Sequence, residues 1–186
     1  NSAEGLLLRG AAHRDLSRPR DAIEDFDEAL ILDPERAPAF YDRGTIFYSL
    51  GKFEPAIEDL DRAIQLDSRN AKAYNNRGLA YAQLGRLDRA VNDFTGAISL
   101  DPSFALAYNN RGIVYRELGH AKEAIVDLDQ AIRLDPEFTM AFYNRALAYS
   151  WLSKDSEAQG DVQRAIELGF DPGQLKAAIQ EVINSR

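Results

Sequence analysis

Two stretches of this sequence are nearly identical: residues 73–85 read AYNNRGLAYAQLG and residues 107–119 read AYNNRGIVYRELG. They begin 34 residues apart, and self-similarity at a fixed period is the signature of a repeat architecture. The rest of the chain follows the same period. Five consecutive frames can be laid out from residue 3: 3–36, 37–70, 71–104, 105–138 and 139–172.

Each frame carries the same residue types at the same positions. Position 8 is glycine in four frames and Ala146 in the fifth, and positions 20 and 27 are alanine in every frame. Large residues occupy positions 4 and 11. This spacing predicts two antiparallel helices per frame, because small and large residues recur on one helical face. Glycine or serine at position 15 predicts the turn between them, and Asp-Pro near position 31 predicts the end of the second helix.

The repeated pattern resembles the tetratricopeptide repeat (TPR) family, with an aromatic residue at position 4, glycine at 8, tyrosine at 11, alanine at 20 and 27, and proline at 32. The resemblance covers residues 3–172. It implies an all-α fold, a right-handed helical solenoid of five antiparallel helix pairs. Residues 173–184 place Leu175, Ala178, Ile179 and Val182 on one helical face, which predicts a C-terminal capping helix.

Composition argues against several classes of function. A net charge of −8 disfavours non-specific binding to nucleic acid or to an anionic membrane. The chain has no cysteine, which excludes disulfides and thiolate chemistry. No apolar run approaches the roughly 18 residues that a membrane-spanning helix needs, so we expect no membrane insertion. Nothing in the composition indicates a cellular compartment.

The sequence offers no recognisable catalytic constellation. Its two histidines are His13, expected to pack at position 11 of the first frame, and His120, which follows a predicted turn. Neither has a second histidine at the spacing of metal ligands, and no glycine-rich phosphate loop follows a strand. We therefore expect no enzyme activity, no metal site and no cofactor.

A charged pair also recurs in every frame. Position 7 is always arginine and position 23 is always aspartate: Arg9 and Asp25, Arg43 and Asp59, Arg77 and Asp93, Arg111 and Asp127, Arg145 and Asp161. In a hairpin that turns at position 15, these two positions lie at equal height. An ion-pair ladder between the two helices is therefore favoured over the alternative, a row of arginines that binds anions.

The resemblance also implies a binding surface. In TPR proteins, positions 2, 5, 6, 9, 12 and 13 of the first helix line the concave groove. Side-chain amides there offer the donors and acceptors that a peptide backbone needs, similar to the asparagine ladder of the O-linked N-acetylglucosamine transferases. The alternative is that asparagine is only tolerated on a helix surface. The expected partner-binding residues are Tyr41, Asp42, Lys72, Asn75, Asn76, Asn109, Asn110, Arg116, Tyr143, Asn144 and Trp151.

These observations predict a protein–protein interaction module that binds an extended peptide or a helix of a partner protein along the groove. The carboxylate clamp of chaperone-binding TPR domains is not matched, because position 5 is never lysine and position 9 is never asparagine. One alternative is a scaffold that self-associates through its N-terminal end, where Leu6, Leu7 and Leu8 lie in the first helix. Another is an accessory domain of a larger protein.

Overall fold

A computed structural model describes residues 2–185. Within that range the chain forms eleven α-helices and no β-strand. The helices are α1 (Ala3–Asp15), α2 (Pro19–Leu32), α3 (Ala37–Ser49), α4 (Phe53–Leu66), α5 (Ala71–Gln83), α6 (Leu87–Leu100), α7 (Ala105–Glu117), α8 (Ala121–Leu134), α9 (Thr139–Trp151), α10 (Asp155–Glu167) and α11 (Pro172–Asn184).

A tight turn joins the two helices of each pair. The turn of the second pair is closed by the amide of Lys52, which donates to the carbonyl of Phe47 at 2.9 Å. This geometry needs a left-handed residue, which glycine supplies without steric cost. The predicted break at position 15 is confirmed, since the residue there has a positive φ in all five pairs: 57° at Ser17, 72° at Gly51, 68° at Gly85, 80° at Gly119 and 58° at Ser153.

Glycine at position 8 lets the two helices of a pair approach closely. A Cβ atom on Gly78 would lie 2.9 Å from the ring of Phe94, and one on Gly112 would lie 2.9 Å from the side chain of Leu128. Both distances are shorter than a van der Waals contact between carbon atoms. The small residue in the first helix therefore makes room for the large residue at position 24 of the second.

The helices group into two compact units, divided between α6 and α7. The first unit contains three helix pairs, and its largest fully buried side chains are those of Phe26, Leu60 and Phe94. The second contains two pairs and α11, which packs on α9. In this second unit Leu175 of α11 is fully buried beside Phe142 and Ala165.

The ion-pair ladder predicted from positions 7 and 23 is confirmed in all five helix pairs. In each pair the arginine Nε donates to an aspartate oxygen at 2.7–2.9 Å. The five aspartates are only 4–6% exposed. Hydrogen bonding to Asp59 raises the pKa of Arg43 despite its burial. These arginines already hold carboxylates within the protein, which disfavours the alternative of an anion-binding row.

Three of these arginines also reach a carboxylate in the preceding helix pair. The Nη1 group of Arg77 donates to Asp61 at 2.6 Å, and that of Arg145 donates to Asp129 at 2.6 Å. Arg43 makes the same contact with Asp27. Each of these guanidinium groups therefore fastens its own hairpin to the one before it, a contact that the sequence analysis did not predict.

Candidate functional site

In the first unit, Asn76 of α5 connects its helix to α3. Its Nδ2 group donates to Thr45 Oγ1 at 3.1 Å and to the hydroxyl of Tyr41 at 3.4 Å. Its Oδ1 atom accepts from Asn75 Nδ2 at 3.3 Å. Positions 5, 6 and 9 of neighbouring first helices therefore meet in one polar contact. This contact lies on a surface that we call the first-helix face. This name denotes the surface formed by positions 2, 5, 6, 9, 12 and 13.

Two charged residues complete this part of the first-helix face. Asp42 of α3 is mostly buried and bonds to Arg14 of α1. Burial raises the pKa of Asp42, and the nearby arginine offsets part of that effect. Lys72, at the start of α5, is exposed. Asp42 therefore has a structural partner already, whereas the ammonium group of Lys72 faces solvent.

The asparagines of the second unit bond to one another. Asn144 Nδ2 of α9 donates to Asn109 Oδ1 of α7 at 3.0 Å. Asn109 Nδ2 donates in turn to Asn110 Oδ1 at 3.3 Å. All three side chains are buried, with exposures of 3–7%. This chain of amides links two consecutive helix pairs through their first helices.

The structure therefore differs from the expectation that each Asn-Asn pair points two amides into an open groove. Asn75, Asn109, Asn110 and Asn144 are buried, and only Asn76 is partly exposed. The physical reason is that a buried amide must find hydrogen-bond partners, and the neighbouring first helix supplies them at this distance. Peptide contacts by these asparagines remain a prediction, now centred on Asn76.

The aromatic residues predicted in α9 border an open cleft in the second unit. The cleft has a volume of about 460 Å³ and lies between α7, α9 and α11. Its apolar lining comes from Tyr143, Leu147, Trp151 and Val182. Tyr143 is held in place by stacking on Phe170, with ring centres 4.7 Å apart and planes inclined by 19°. Trp151 is 42% exposed, so its indole is available to a ligand.

Three charged side chains line the same α7–α9–α11 cleft: Arg116 and Glu117 of α7, and Glu181 of α11. Among the described residues none of the three forms an ion pair. The Nε group of Arg116 is buried and has no hydrogen-bond acceptor among the described residues. A buried donor without a partner costs free energy.

Sequence reasoning found Arg116, Tyr143 and Trp151 but missed the α11 side of the cleft. Ala178 and Val182 belong to the apolar face that predicted a capping helix, yet both line the cleft. Leu175 of the same face is the residue that closes the core. The apolar character of Ala178 and Val182 was the signal available in the sequence.

Other kinds of site are not found among the described residues. Within residues 2–185 no helix has the length and apolarity needed to cross a membrane. Over the same range no group of three or more histidine, cysteine, aspartate or glutamate side chains could hold a metal ion. His13 Nδ1 lies 3.1 Å from Asp25 Oδ2 without forming a hydrogen bond to another described residue.

Comparison with protein families agrees with the repeat pattern. Residues 44–85 and 79–119 match a family model described as a TPR repeat. Residues 105–138 match a model described as a tetratricopeptide repeat. No curated protein matches the chain.

Solved structures of TPR proteins have the same fold, which confirms the all-α solenoid class. A crystal structure of MamA shares 28% sequence identity with a TM-score of 0.80, over 86% of this chain and 93% of that chain. YrrB is described as a TPR protein with an unusual peptide-binding site. It shares 20% identity with a TM-score of 0.78, over 94% of this chain and 90% of that chain. Pseudomonas aeruginosa pilF shares 18% identity with a TM-score of 0.85, over 98% of this chain and 87% of that chain.

Proposed function

The chain belongs to the tetratricopeptide repeat family, and on that premise we propose that it binds an extended segment of a partner protein on its first-helix face. The fold and its neighbours fit a protein-interaction module, and TPR proteins are generally non-catalytic scaffolds. YrrB shows that the fold is able to carry a peptide-binding site. The α7–α9–α11 cleft is the proposed anchor point of the segment.

The observation that carries this proposal is the exposed indole of Trp151 at the edge of the α7–α9–α11 cleft, where apolar and charged side chains meet. Binding sites in proteins are concave, mostly apolar, and supplied with a few polar groups that orient the ligand. The cleft is concave and of mixed character, with Leu147 as an apolar wall and Arg116 as a polar group that could orient a ligand. Tryptophan is also among the residues that contribute most to binding energy at protein interfaces.

The first unit carries a separate candidate contact point of its own. Asn76 is partly exposed, so its amide can exchange a bond with Tyr41 for one with a peptide group. The bond to Tyr41 is long, at 3.4 Å, and is the weaker of the two that Asn76 donates. Lys72 adds a preference for a carboxylate on the bound segment near this point.

Selection from a random peptide library displayed on phage tests the proposal. We expect peptides that bind the intact chain and bind the Trp151→Ala variant at least roughly tenfold more weakly. Val126→Ala is the matched control, because Val126 is 64% exposed but lies in a second helix, α8. Failure to select any peptide, or equal binding to the parent and the Trp151→Ala variant, would contradict the proposal.

One observation favours the alternative of self-association. Leu8, Ile31 and Leu32 of the first helix pair are 67%, 78% and 56% exposed. Leu6 and Leu32 border a shallow apolar hollow of about 260 Å³. Sedimentation equilibrium of the parent and of a Leu8→Lys, Ile31→Lys variant tests this function. Self-association predicts that the parent forms a dimer as its concentration rises and that the variant does not. If parent and variant are both monomeric, self-association through this surface is excluded.

A further inference from the structure

We infer that the α7–α9–α11 cleft selects segments in which a bulky apolar side chain is flanked by lysine or arginine. This inference rests on the proposed function and names the chemistry of the partner. It follows from the combination of an apolar wall, two rim carboxylates that form no ion pair within residues 2–185, and a guanidinium whose Nε has no acceptor among those residues.

The apolar part of the cleft has room for a large side chain. A volume of about 460 Å³ falls in the lower half of the range of ligand pockets, about 300–1,000 Å³. Leu147 is almost fully buried and forms the wall, while Trp151 remains accessible at the rim. A leucine or phenylalanine side chain in the cleft would cover the exposed indole of Trp151, and removing apolar surface from water is the main source of affinity in such a pocket.

The charges of the cleft favour a cation beside that side chain. Glu117 on α7 and Glu181 on α11 are both exposed and face the same opening, and Arg116 is the one cation among the described residues that line it. The chain as a whole also carries a net charge of −8. Its field therefore attracts basic segments and repels acidic ones. A lysine or arginine at the rim can also lie over the indole face of Trp151.

Arg116 fits a neutral partner atom better than an anionic one. A carboxylate that approached Arg116 would also approach the carboxylates of Glu117 and Glu181, and their repulsion would oppose it. A backbone carbonyl of the bound segment accepts the same hydrogen bonds without that cost. The guanidinium therefore orients the peptide backbone. The two glutamates favour lysine or arginine on either side of the apolar residue.

Trp151 provides the measurement, because it is the only tryptophan in the chain. Its fluorescence is titrated at low salt with short peptides blocked at both ends. One peptide has a central leucine flanked by lysines, and the others replace the lysines by serine or by glutamate. We expect the lysine-flanked peptide to bind roughly three- to tenfold more tightly than the serine-flanked one, and the glutamate-flanked one to bind least.

The paired variant Glu117→Gln, Glu181→Gln should bind lysine- and serine-flanked peptides alike. Glu123→Gln, Glu137→Gln is the matched control, since it removes two exposed carboxylates of the second unit outside the cleft; it should keep the preference. Equal binding of the lysine- and serine-flanked peptides to the parent overturns the inference and leaves the proposed function standing. Binding by none of the peptides with a central leucine counts against both.

Discussion

Arg111 and Asp127 form a two-point ion pair, in which Nε donates to Oδ2 and Nη2 donates to Oδ1, each at 2.7 Å. The side chains are 16% and 6% exposed, so water screens the pair poorly. The arginine lies on α7 and the aspartate on α8, which makes the pair a tie between the two helices of one hairpin. The same tie recurs in every helix pair of residues 2–185.

Replacing Arg111 by leucine should lower the free energy of unfolding by about 3–5 kcal/mol, because it leaves a buried carboxylate without its partner. The double variant Arg111→Leu, Asp127→Leu should recover much of that loss. Urea denaturation of the double-mutant cycle measures the coupling. Arg164→Leu is the control, since its pair with Glu167 is about half exposed and should contribute at most about 1 kcal/mol. Losses that simply add would show that Arg111 and Asp127 do not interact.

The two carboxylates bound to Arg77 should differ in their contributions. The side chain of Asp93 is 8% exposed and that of Asp61 is 41% exposed. Asp61→Ala should therefore cost only about 0.5–1 kcal/mol, whereas Asp93→Ala should cost about 3 kcal/mol or more. Thermal and urea unfolding of the two single variants provide the comparison. A larger loss for Asp61→Ala would mean that the tie to the preceding hairpin matters more than the tie within a hairpin.

Asn144→Ala should destabilise the second unit. It removes the donor to Asn109 Oδ1, and a buried acceptor without a partner costs about 1–3 kcal/mol. The helical circular-dichroism signal at low temperature should hardly change, because alanine is the better helix former. Asn92→Ala, at an exposed position of α6, is the control and should stay within about 0.5 kcal/mol of the parent. If both variants melt like the parent, the amide chain contributes nothing to stability.

Asp42 should make the first unit lose stability as pH rises. Its pKa is raised in the folded state, so the folded protein holds this proton over a pH range in which the unfolded chain has released it. Stability then falls with increasing pH between the unfolded and folded pKa values and is constant above them. In Asp42→Asn this fall is absent, so the stability of the variant should increase relative to that of the parent between about pH 4, the ordinary carboxyl pKa, and neutral pH.

Chemical denaturation at those two pH values measures the effect of Asp42. Asp15→Asn is the control, because Asp15 is an exposed carboxylate that bonds to the same Arg14. An equal gain in both variants would assign the effect to general loss of negative charge rather than to the burial of Asp42.

Most of the fold follows from the sequence because its determinants are local. A left-handed residue at position 15 and a small residue at position 8 define one hairpin, and Gly78 against Phe94 shows how little freedom that geometry leaves. The pairing of Arg77 with Asp93 follows from the same hairpin, since equal height is fixed by the turn. Every one of these relationships lies within a single 34-residue frame.

Contacts between consecutive hairpins were harder to predict. The bond from Arg77 to Asp61 depends on how one pair packs on the next, although aspartate at position 25 recurs in three frames and was a visible signal. For the first-helix face, nothing in the sequence indicated the hydrogen bonds that its asparagines make to one another. A sequence shows that Asn109 and Asn144 carry amides, and only packing determines that the two amides face each other.

The hydrogen bonds from these arginines to the preceding hairpin affect how such a chain can change in length. Frame 37–70 contains both kinds of residue. Its Arg43 bonds to Asp27 of the preceding hairpin, and its Asp61 accepts from Arg77 of the following hairpin. A gene duplication that copies one whole frame would supply both halves of the new junction at once. An insertion of any other size would move the arginine of one hairpin out of register with the aspartate that it bonds to in the preceding hairpin. Whole-frame duplication and deletion are therefore the length changes that this architecture tolerates best.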